Sequence, residues 1–111
     1  PMSNILLTGS RHVVALGEAR TLKAAGHTVH TADSVDFDYT GYSRSVAQYH
    51  QVPSVRFEEH TYIQAIITII SEHAIDELIP LGEETFWLAK HQATILRAHP
   101  HLKLNIPSLD T

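Results

Sequence analysis

Short apolar runs alternate along the chain with segments of helical period, and this alternation limits the fold more than any other feature of the sequence. The first run, Ile5 to Thr8, ends at Gly9, which is typical of a strand buried on both faces of a sheet. Apolar residues then recur at helical spacing up to Gly26, where a glycine can adopt the left-handed conformation that ends a helix. Thr28 to Ala32 is rich in β-branched residues and predicts the second strand.

The rest of the chain continues the same alternation. A short third strand is predicted from Gln48 to Ser54, and apolar residues three and four apart predict a helix from Glu59 to His73. Later segments predict a fourth strand from Glu77 to Leu81, a helix from Phe86 to Ala89 and a fifth strand from Leu102 to Ile106. Whether this helix continues through Leu96 is left open by the sequence. We therefore expect an α/β, Rossmann-like domain of three layers with a mostly parallel sheet of about five strands.

Length and charge exclude several classes of protein. The 111 residues suffice for one domain. The chain has no cysteine, which excludes disulfides and thiolate metal sites. The formal net charge is -4 and the basic residues are scattered, so we expect no nucleic-acid partner. The longest apolar run, around Ala65 to Ile70, is far too short for a membrane span, so we expect no membrane partner and a cytoplasmic protein.

Both ends of the sequence carry an expectation. Pro1 precedes Met2, so we expect the natural chain to begin at Met2. Ser108 to Thr111 is typical of a helix cap followed by the first residues of a helix, so we expect the natural chain to continue.

Three predicted strand ends should meet at one edge of the sheet. Parallel sheets bind ligands at the carboxyl ends of their strands, near the point where the strand order reverses. The segments expected at this edge are Thr8 to Arg11, Ala32 to Ser34, and Leu81 to Glu84. Function should be sought there.

The first turn is a failed match to the dinucleotide-binding fingerprint. That pattern needs further glycines after Gly9, at positions that Arg11 and Val14 occupy here, so a nicotinamide or flavin cofactor is disfavoured. A small anion could still bind at the helix N-terminus with help from Ser10 and Arg11. The alternative is that Gly9 only forms the turn between strand and helix.

Acidic residues follow two other predicted strands. Asp33 stands where nucleotide-binding folds often hold a ribose hydroxyl, although a turn formed with Ser34 is the simpler interpretation. Glu83 and Glu84 open a helix, where the helix dipole favours carboxylates as a structural cap. The functional alternative is that one of them binds an ammonium or hydroxyl group of a substrate.

No complete catalytic or metal-binding pattern is present in the sequence. The nine histidines include two close pairs, but neither a cysteine nor an HExxH arrangement accompanies them, so we predict solvated histidines and no metal site; the pairs are His27 with His30 and His99 with His101. The nucleophile-elbow and P-loop patterns are missing as well, so we predict no catalytic residue.

Several short motifs lie along nearly the whole chain, namely Asn4 to Gly9, Ala24 to Val29, Thr31 to Ser34, Ser43 to Ser54, Ile75 to Glu84 and Asn105 to Ser108. Each motif is loose when taken alone. Together they resemble the N-terminal pre-ATP-grasp domain of ATP-grasp ligases, especially proteins similar to the large subunit of carbamoyl-phosphate synthase.

The resemblance implies that residues 2–111 are the pre-ATP-grasp domain of a longer ligase, with ATP-grasp domains following in the same chain as its partners. Such a parent would bind ATP and magnesium in those domains, so no cofactor is expected in this fragment. The family reaction activates a carboxylate as an acyl phosphate, which an amine then attacks. The residues expected to border the small-molecule substrate are Gly9, Ser10, Arg11, Glu83 and Glu84.

Three hypotheses remain open from the sequence. The first is this substrate-side ligase domain, inactive alone, whose uncovered apolar surface would cause weak self-association into a homodimer. The second is a free-standing module that binds a nucleotide or a small anion at the Gly9 turn. The third is a purely structural or interaction domain.

Overall fold

A computed structural model describes residues 3–11, 14–36 and 40–106 of the chain. The five strands are β1 (Asn4–Thr8), β2 (Thr28–Asp33), β3 (Gln48–Gln51), β4 (Glu77–Pro80) and β5 (Lys103–Leu104). The helices of these described residues are α1 (Val14–Ala24), α2 (Glu59–Glu72), α3 (Glu84–Lys90) and α4 (Gln92–Ala98). The predicted alternation of strands and helices is confirmed.

All strand pairs are parallel, and the strand order across the sheet is β3-β2-β1-β4-β5. The chain therefore moves outward from β1 in one direction through β2 and β3, and then returns to β4 on the other side of β1. The strand order reverses between β1 and β4, which is where open α/β sheets leave a crevice at their carboxyl ends. The fold is Rossmann-like, as the sequence predicts.

The two faces of the sheet are buried against different elements because successive strand residues point to opposite faces. Ile5, Leu7 and Val29 face α1 and pack with Ala19 of that helix. The opposite face packs against the other three helices in a larger core that includes Leu6, Ala32, Ile63, Ile66, Ile70, Leu78, Leu88 and Ile95. The double burial of β1 explains its continuous apolar run.

Some element boundaries differ from the sequence-based expectations. The helix predicted at Phe86 does not continue through Leu96, because the chain leaves helical geometry at His91, which has φ -101° and ψ 17°, and a second helix follows. The last strand is shorter than predicted, and residues 107–111, with the predicted helix start, lie outside the described residues. Gly26 has φ 97°, which confirms its predicted role at the end of α1. None of the described helices is long and apolar enough to cross a membrane.

Candidate functional site

A pocket of about 230 Å³ lies at the carboxyl edge of the sheet. It is formed by the turn after β1, the end of β2, the loop after β3 and the first turn of α3, as the sheet topology requires. Its lining includes Gly9, Arg11, Asp33, Arg56, Phe57, Tyr62, Glu83 and Glu84. The three predicted segments therefore meet at one edge.

Glu84 links the turn after β4 to the end of β1 through hydrogen bonds. Its Oε2 accepts hydrogen bonds from the Thr8 hydroxyl at 2.8 Å, from the Leu81 amide at 3.1 Å and from the Gly82 amide at 3.0 Å. The side chain is only 6% exposed. A buried carboxylate with three donors holds its surroundings rigidly, since removing it would leave those donors unpaired.

Gly9 fits closely over this carboxylate. Its φ is +69°, a conformation that favours glycine, and an added Cβ would lie 2.7 Å from Glu84 Oε2 and 3.0 Å from the backbone nitrogen of Gly82. The glycine is therefore required both by the turn and by the close approach of Glu84.

Asp33 makes the corresponding link between β2 and the turn after β1. Its Oδ2 accepts a hydrogen bond from the Arg11 amide at 3.0 Å and lies 3.6 Å from the Arg11 Nε, while its Oδ1 accepts one from the Ser34 amide at 2.7 Å. The Ser34 contact is local to the end of β2. Both carboxylate oxygens therefore help to hold the backbone at the ends of β1 and β2.

Glu83 faces the pocket mouth and pairs with Arg56 through two hydrogen bonds. The Arg56 Nε donates to Glu83 Oε1 at 2.8 Å, and one terminal nitrogen of the guanidinium donates to Oε2 at 2.5 Å. This pairing raises the pKa of the Arg56 guanidinium. Both side chains are substantially exposed, at 60% for Arg56 and 42% for Glu83, so the pair can open at little cost in stability.

Tyr62 lies on the inner wall of the pocket and is only 4% exposed. Burial, together with the nearby carboxylate of Glu84, raises the pKa of its hydroxyl, which also hydrogen-bonds with Thr8. The phenol therefore stays protonated at neutral pH. It joins α2 to the network formed by Thr8 and Glu84.

The predicted site residues thus fall into two groups. Gly9, Arg11, Glu83 and Glu84 line the pocket. Ser10 is fully buried and is not among the lining residues. Glu83 is the N-cap residue of α3 and Glu84 lies in its first turn, where the structural interpretation places them. The Glu83 side chain makes no capping hydrogen bond, and the Glu84 carboxylate accepts hydrogen bonds from the Leu81 and Gly82 amides that precede the helix.

Sequence reasoning missed Arg56 and Tyr62. Arg56 stands in a loop and carried no signal beyond being one of the scattered basic residues. Tyr62 is one of the regularly spaced residues in the helix predicted from Glu59 to His73, and its position in the first turn of α2 places it at the carboxyl edge. A parallel crossover helix begins at that edge, so the first-turn position was the available signal.

Comparisons with known proteins support the fold. No protein-family model matches the chain, and no curated protein matches its sequence. The chain does resemble solved structures, including GAR transformylase T from Mycobacterium tuberculosis, an ATP-grasp enzyme, with 16% identity and a TM-score of 0.66. This alignment covers 91% of the chain and 25% of that enzyme.

Two other similar structures are nucleotide-sugar enzymes. The dTDP-glucose 4,6-dehydratase from Bacillus anthracis, in complex with NAD, has 15% identity and a TM-score of 0.63 over 92% of the chain and 36% of the enzyme. The UDP-glucose 4-epimerase from Thermotoga maritima, with UDP-glucose, has 18% identity and a TM-score of 0.53 over 86% of the chain and 29% of the enzyme. The chain spans about a quarter to a third of these proteins, and at such identities the likeness shows a Rossmann-like fold.

Proposed function

We propose that the chain is the substrate-side, pre-ATP-grasp domain of an ATP-dependent ligase that joins a carboxylate to an amine, and that it is not catalytic alone. The observation that carries the proposal is the pocket at the carboxyl edge, which has charged binding groups but, among the described residues, no set of side chains for chemistry. In this proposal ATP and magnesium bind to ATP-grasp domains elsewhere in the same protein. The pocket contributes contacts to the small-molecule substrate.

The pairing of Arg56 with Glu83 supports a role in binding an acidic group. A substrate carboxylate or phosphate can replace Glu83 on the guanidinium fork, because arginine binds both groups through two parallel hydrogen bonds. Exposed ion pairs contribute little to stability, so this exchange costs little. Glu83, once released, can accept a hydrogen bond from an amine or hydroxyl of the same substrate.

The Gly9 turn offers less support for the alternative of a free-standing anion or nucleotide module. The Arg11 amide, which a phosphate would need, already donates to Asp33. The buried carboxylates of Asp33 and Glu84 flank the turn, and they repel an anion placed over Gly9. The likeness to the NAD-bound enzyme is therefore a likeness of fold alone.

The similarity to GAR transformylase T adds a second line of support. That protein is an ATP-grasp enzyme, and the alignment spans 91% of this chain but only a quarter of that protein. A substrate-side domain in a longer ligase agrees with that proportion. The loose motif resemblance along residues 4–108 points to the same family.

Titrating the 111-residue chain with ATP, NAD and inorganic phosphate separates the proposal from the free-standing module. We expect none of the three to bind at the Gly9 turn at micromolar concentration. Micromolar binding that is lost in Arg11→Ala, and kept in Arg97→Ala in the last turn of α4, would favour the module instead. Reading the source gene past Thr111 gives an independent test: the proposal requires ATP-grasp domains in the same frame, and a stop codon at that point overturns it.

A further inference from the structure

Three histidines from three separate elements meet on the α2 face of the sheet. His30 lies within β2, His50 lies in the edge strand β3, and His73 follows the last residue of α2. Because α2 runs antiparallel to the strands, its C-terminal end lies away from the carboxyl-edge pocket. This histidine cluster (His30, His50 and His73) is therefore separate from the candidate substrate site. Of the histidine pairs noted in the sequence, His27 with His30 and His99 with His101, only His30 belongs to the cluster. His30 is 7% exposed, so the prediction of solvated histidines is wrong for this residue.

The ring nitrogens of the cluster converge. His30 Nδ1 and His50 Nε2 are 3.1 Å apart, and one nitrogen from each of the three rings can be chosen so that all three lie within 4.8 Å of one another. The ring centroids are 5.3 Å apart for His30 and His50, 4.8 Å for His30 and His73, and 4.7 Å for His50 and His73. Among the described residues, no other group of three histidine, aspartate or glutamate side chains has ligand atoms spaced closely enough to hold a metal ion.

This spacing is close to that of a tetrahedral zinc site. Zinc–imidazole bonds of about 2.0–2.1 Å place neighbouring ligand nitrogens about 3.3 Å apart. The nitrogens of His30 and His50 already have nearly that separation. Closing the longest separation requires a movement of about 1.5 Å, which rotation of the half-buried rings of His50 and His73 can supply.

The backbone under the cluster is well fixed. His30 is hydrogen-bonded in a strand between β1 and β3 and is 7% exposed. The His73 amide donates to the Ile69 carbonyl at 3.0 Å, and the His73 carbonyl accepts from the Asn4 side chain at 3.3 Å. Rigid elements of this kind hold metal ligands with little loss of conformational entropy on binding.

The rings are poorly satisfied by the protein itself. One hydrogen bond can join His30 to His50, but no described residue forms a hydrogen bond with the His73 ring, which contacts the other two rings instead. Burial and the neighbouring histidines lower the pKa of His50 to about 4, and burial and His73 lower that of His30. Both rings are therefore neutral at pH 7, and neutral imidazole is the form that binds metal ions.

A surface groove borders the cluster at His50. His50 also lines a groove of about 410 Å³ between β3 and α2, together with Gln48, Val52, Ala65 and Ile69. Three protein ligands with one open position leave room for a water molecule as the fourth ligand. A donor set made only of imidazoles suits zinc and its neighbours copper and nickel, and does not suit magnesium or calcium.

We propose that His30, His50 and His73 form a zinc-binding site that ties the C-terminal end of α2 to the edge strand β3. The fourth coordination position faces the groove and is open to water. The site lies outside the carboxyl-edge pocket, so the proposal stands independently of the proposed ligase function.

Calorimetric titration of the untagged, chelator-treated chain with zinc chloride tests the site. We expect one zinc ion per chain, and a loss of affinity of at least about tenfold in both His50→Gln and His73→Gln. The matched control is His60→Gln, an exposed histidine in the first turn of the same helix, which should bind as the parent does. Unchanged affinity in both cluster variants, or no stoichiometric binding by the parent at micromolar zinc, would overturn the proposal.

A second measurement needs no substitution and so remains valid if a variant misfolds. In NMR spectra of the parent chain, the ring signals of His30, His50 and His73 should change together and saturate at one equivalent of zinc. The six other histidines should be unaffected up to that point. If other histidines respond first, zinc binds elsewhere and the assignment of the site to this cluster is wrong.

Discussion

Helix α2 runs between two polar clusters that differ in how their ionisable side chains are satisfied. The carboxyl-edge pocket lies at the first turn of α2. Its carboxylates accept hydrogen bonds from nearby amides and a hydroxyl, and those of Glu84 and Asp33 are the most deeply buried. At the other end of α2, the histidine cluster brings ring nitrogens together with a single hydrogen bond between His30 and His50. The carboxylates are satisfied by the protein itself, whereas the imidazoles keep lone pairs that a cation can bind.

This difference predicts what each cluster contributes. Groups that satisfy backbone donors stabilise the fold, so their removal should lower the free energy of unfolding. The histidines of the cluster form few hydrogen bonds with the rest of the protein. Removing one of them should therefore weaken metal binding more than it lowers the free energy of unfolding. The following substitutions test that division.

The largest effect is expected from Gly9→Ala, which places a Cβ against Glu84 and the Gly82 backbone in a left-handed turn. The positive φ and the displaced carboxylate together should destabilise the chain by about 3 kcal/mol, lowering Tm by about 10 °C or more. Thermal denaturation followed by circular dichroism measures this. Gly17→Ala is the matched control, since its Cβ meets nothing within 4 Å in α1 and should raise stability by about 0.5–1 kcal/mol. Equal Tm values for the two variants would show that the fit of Gly9 against Glu84 is unimportant.

A smaller effect is expected from Glu84→Ala, which leaves the Thr8 hydroxyl and the Leu81 and Gly82 amides without their acceptor. We expect a loss of about 2 kcal/mol in urea denaturation, reduced because water can reach part of the site. Glu84→Gln is the control, because its amide oxygen can accept the same three hydrogen bonds and should retain most of the stability.

The combination of the two substitutions sharpens this test. Removing the Glu84 side chain also removes the nearest atoms that the Cβ added by Gly9→Ala would contact, so the double variant should be more stable than the two single losses predict. If Glu84→Ala and Glu84→Gln cost the same, charge and not the hydrogen bonds would explain the effect of Glu84.

Much of the fold was predictable from residue patterns, because the double burial of parallel strands and the helical period both leave a signal in the sequence. The short β5 and the break at His91 were not, since each depends on tertiary packing that a local pattern does not record. The meeting of Gly9, Asp33 and Glu84 followed from topology. Their hydrogen bonds did not, because the reach of a side chain depends on a backbone geometry that the sequence does not state.

The histidine cluster was invisible for a different reason. Its members are 20 and 23 residues apart in the chain, and spacing rules for metal sites detect ligands close together on one helix or loop. His30 was noticed only with His27, whose Nδ1 instead accepts a hydrogen bond from the Ser3 amide. The pairing of β2 with β3 and the end point of α2 were needed before these rings could be placed together.

The smallest effect, and the one that tests the histidine side of the comparison, is the pH dependence of the metal-free chain. The pKa of His50 is lowered to about 4 in the folded state by burial and by His30 and His73, whereas an unfolded chain protonates this ring near 6.5. Between these values the unfolded state binds more protons, so the stabilising contribution is complete above pH 6.5 and is lost as the pH falls toward 4. The full change would correspond to about 3 kcal/mol, and solvent screening of this half-buried ring should reduce it to about 1–2 kcal/mol.

Urea denaturation in a chelating buffer, at several pH values from about 7 to about 4.5, measures how the free energy of unfolding depends on pH. This dependence should be shallower in His50→Gln. It should be unchanged in His101→Gln, a variant of an exposed histidine. Because carboxylates titrate in the same way in all three proteins, parallel curves for the parent and His50→Gln would mean that the ring of His50 is well solvated and that the cluster is looser than its ring spacings indicate.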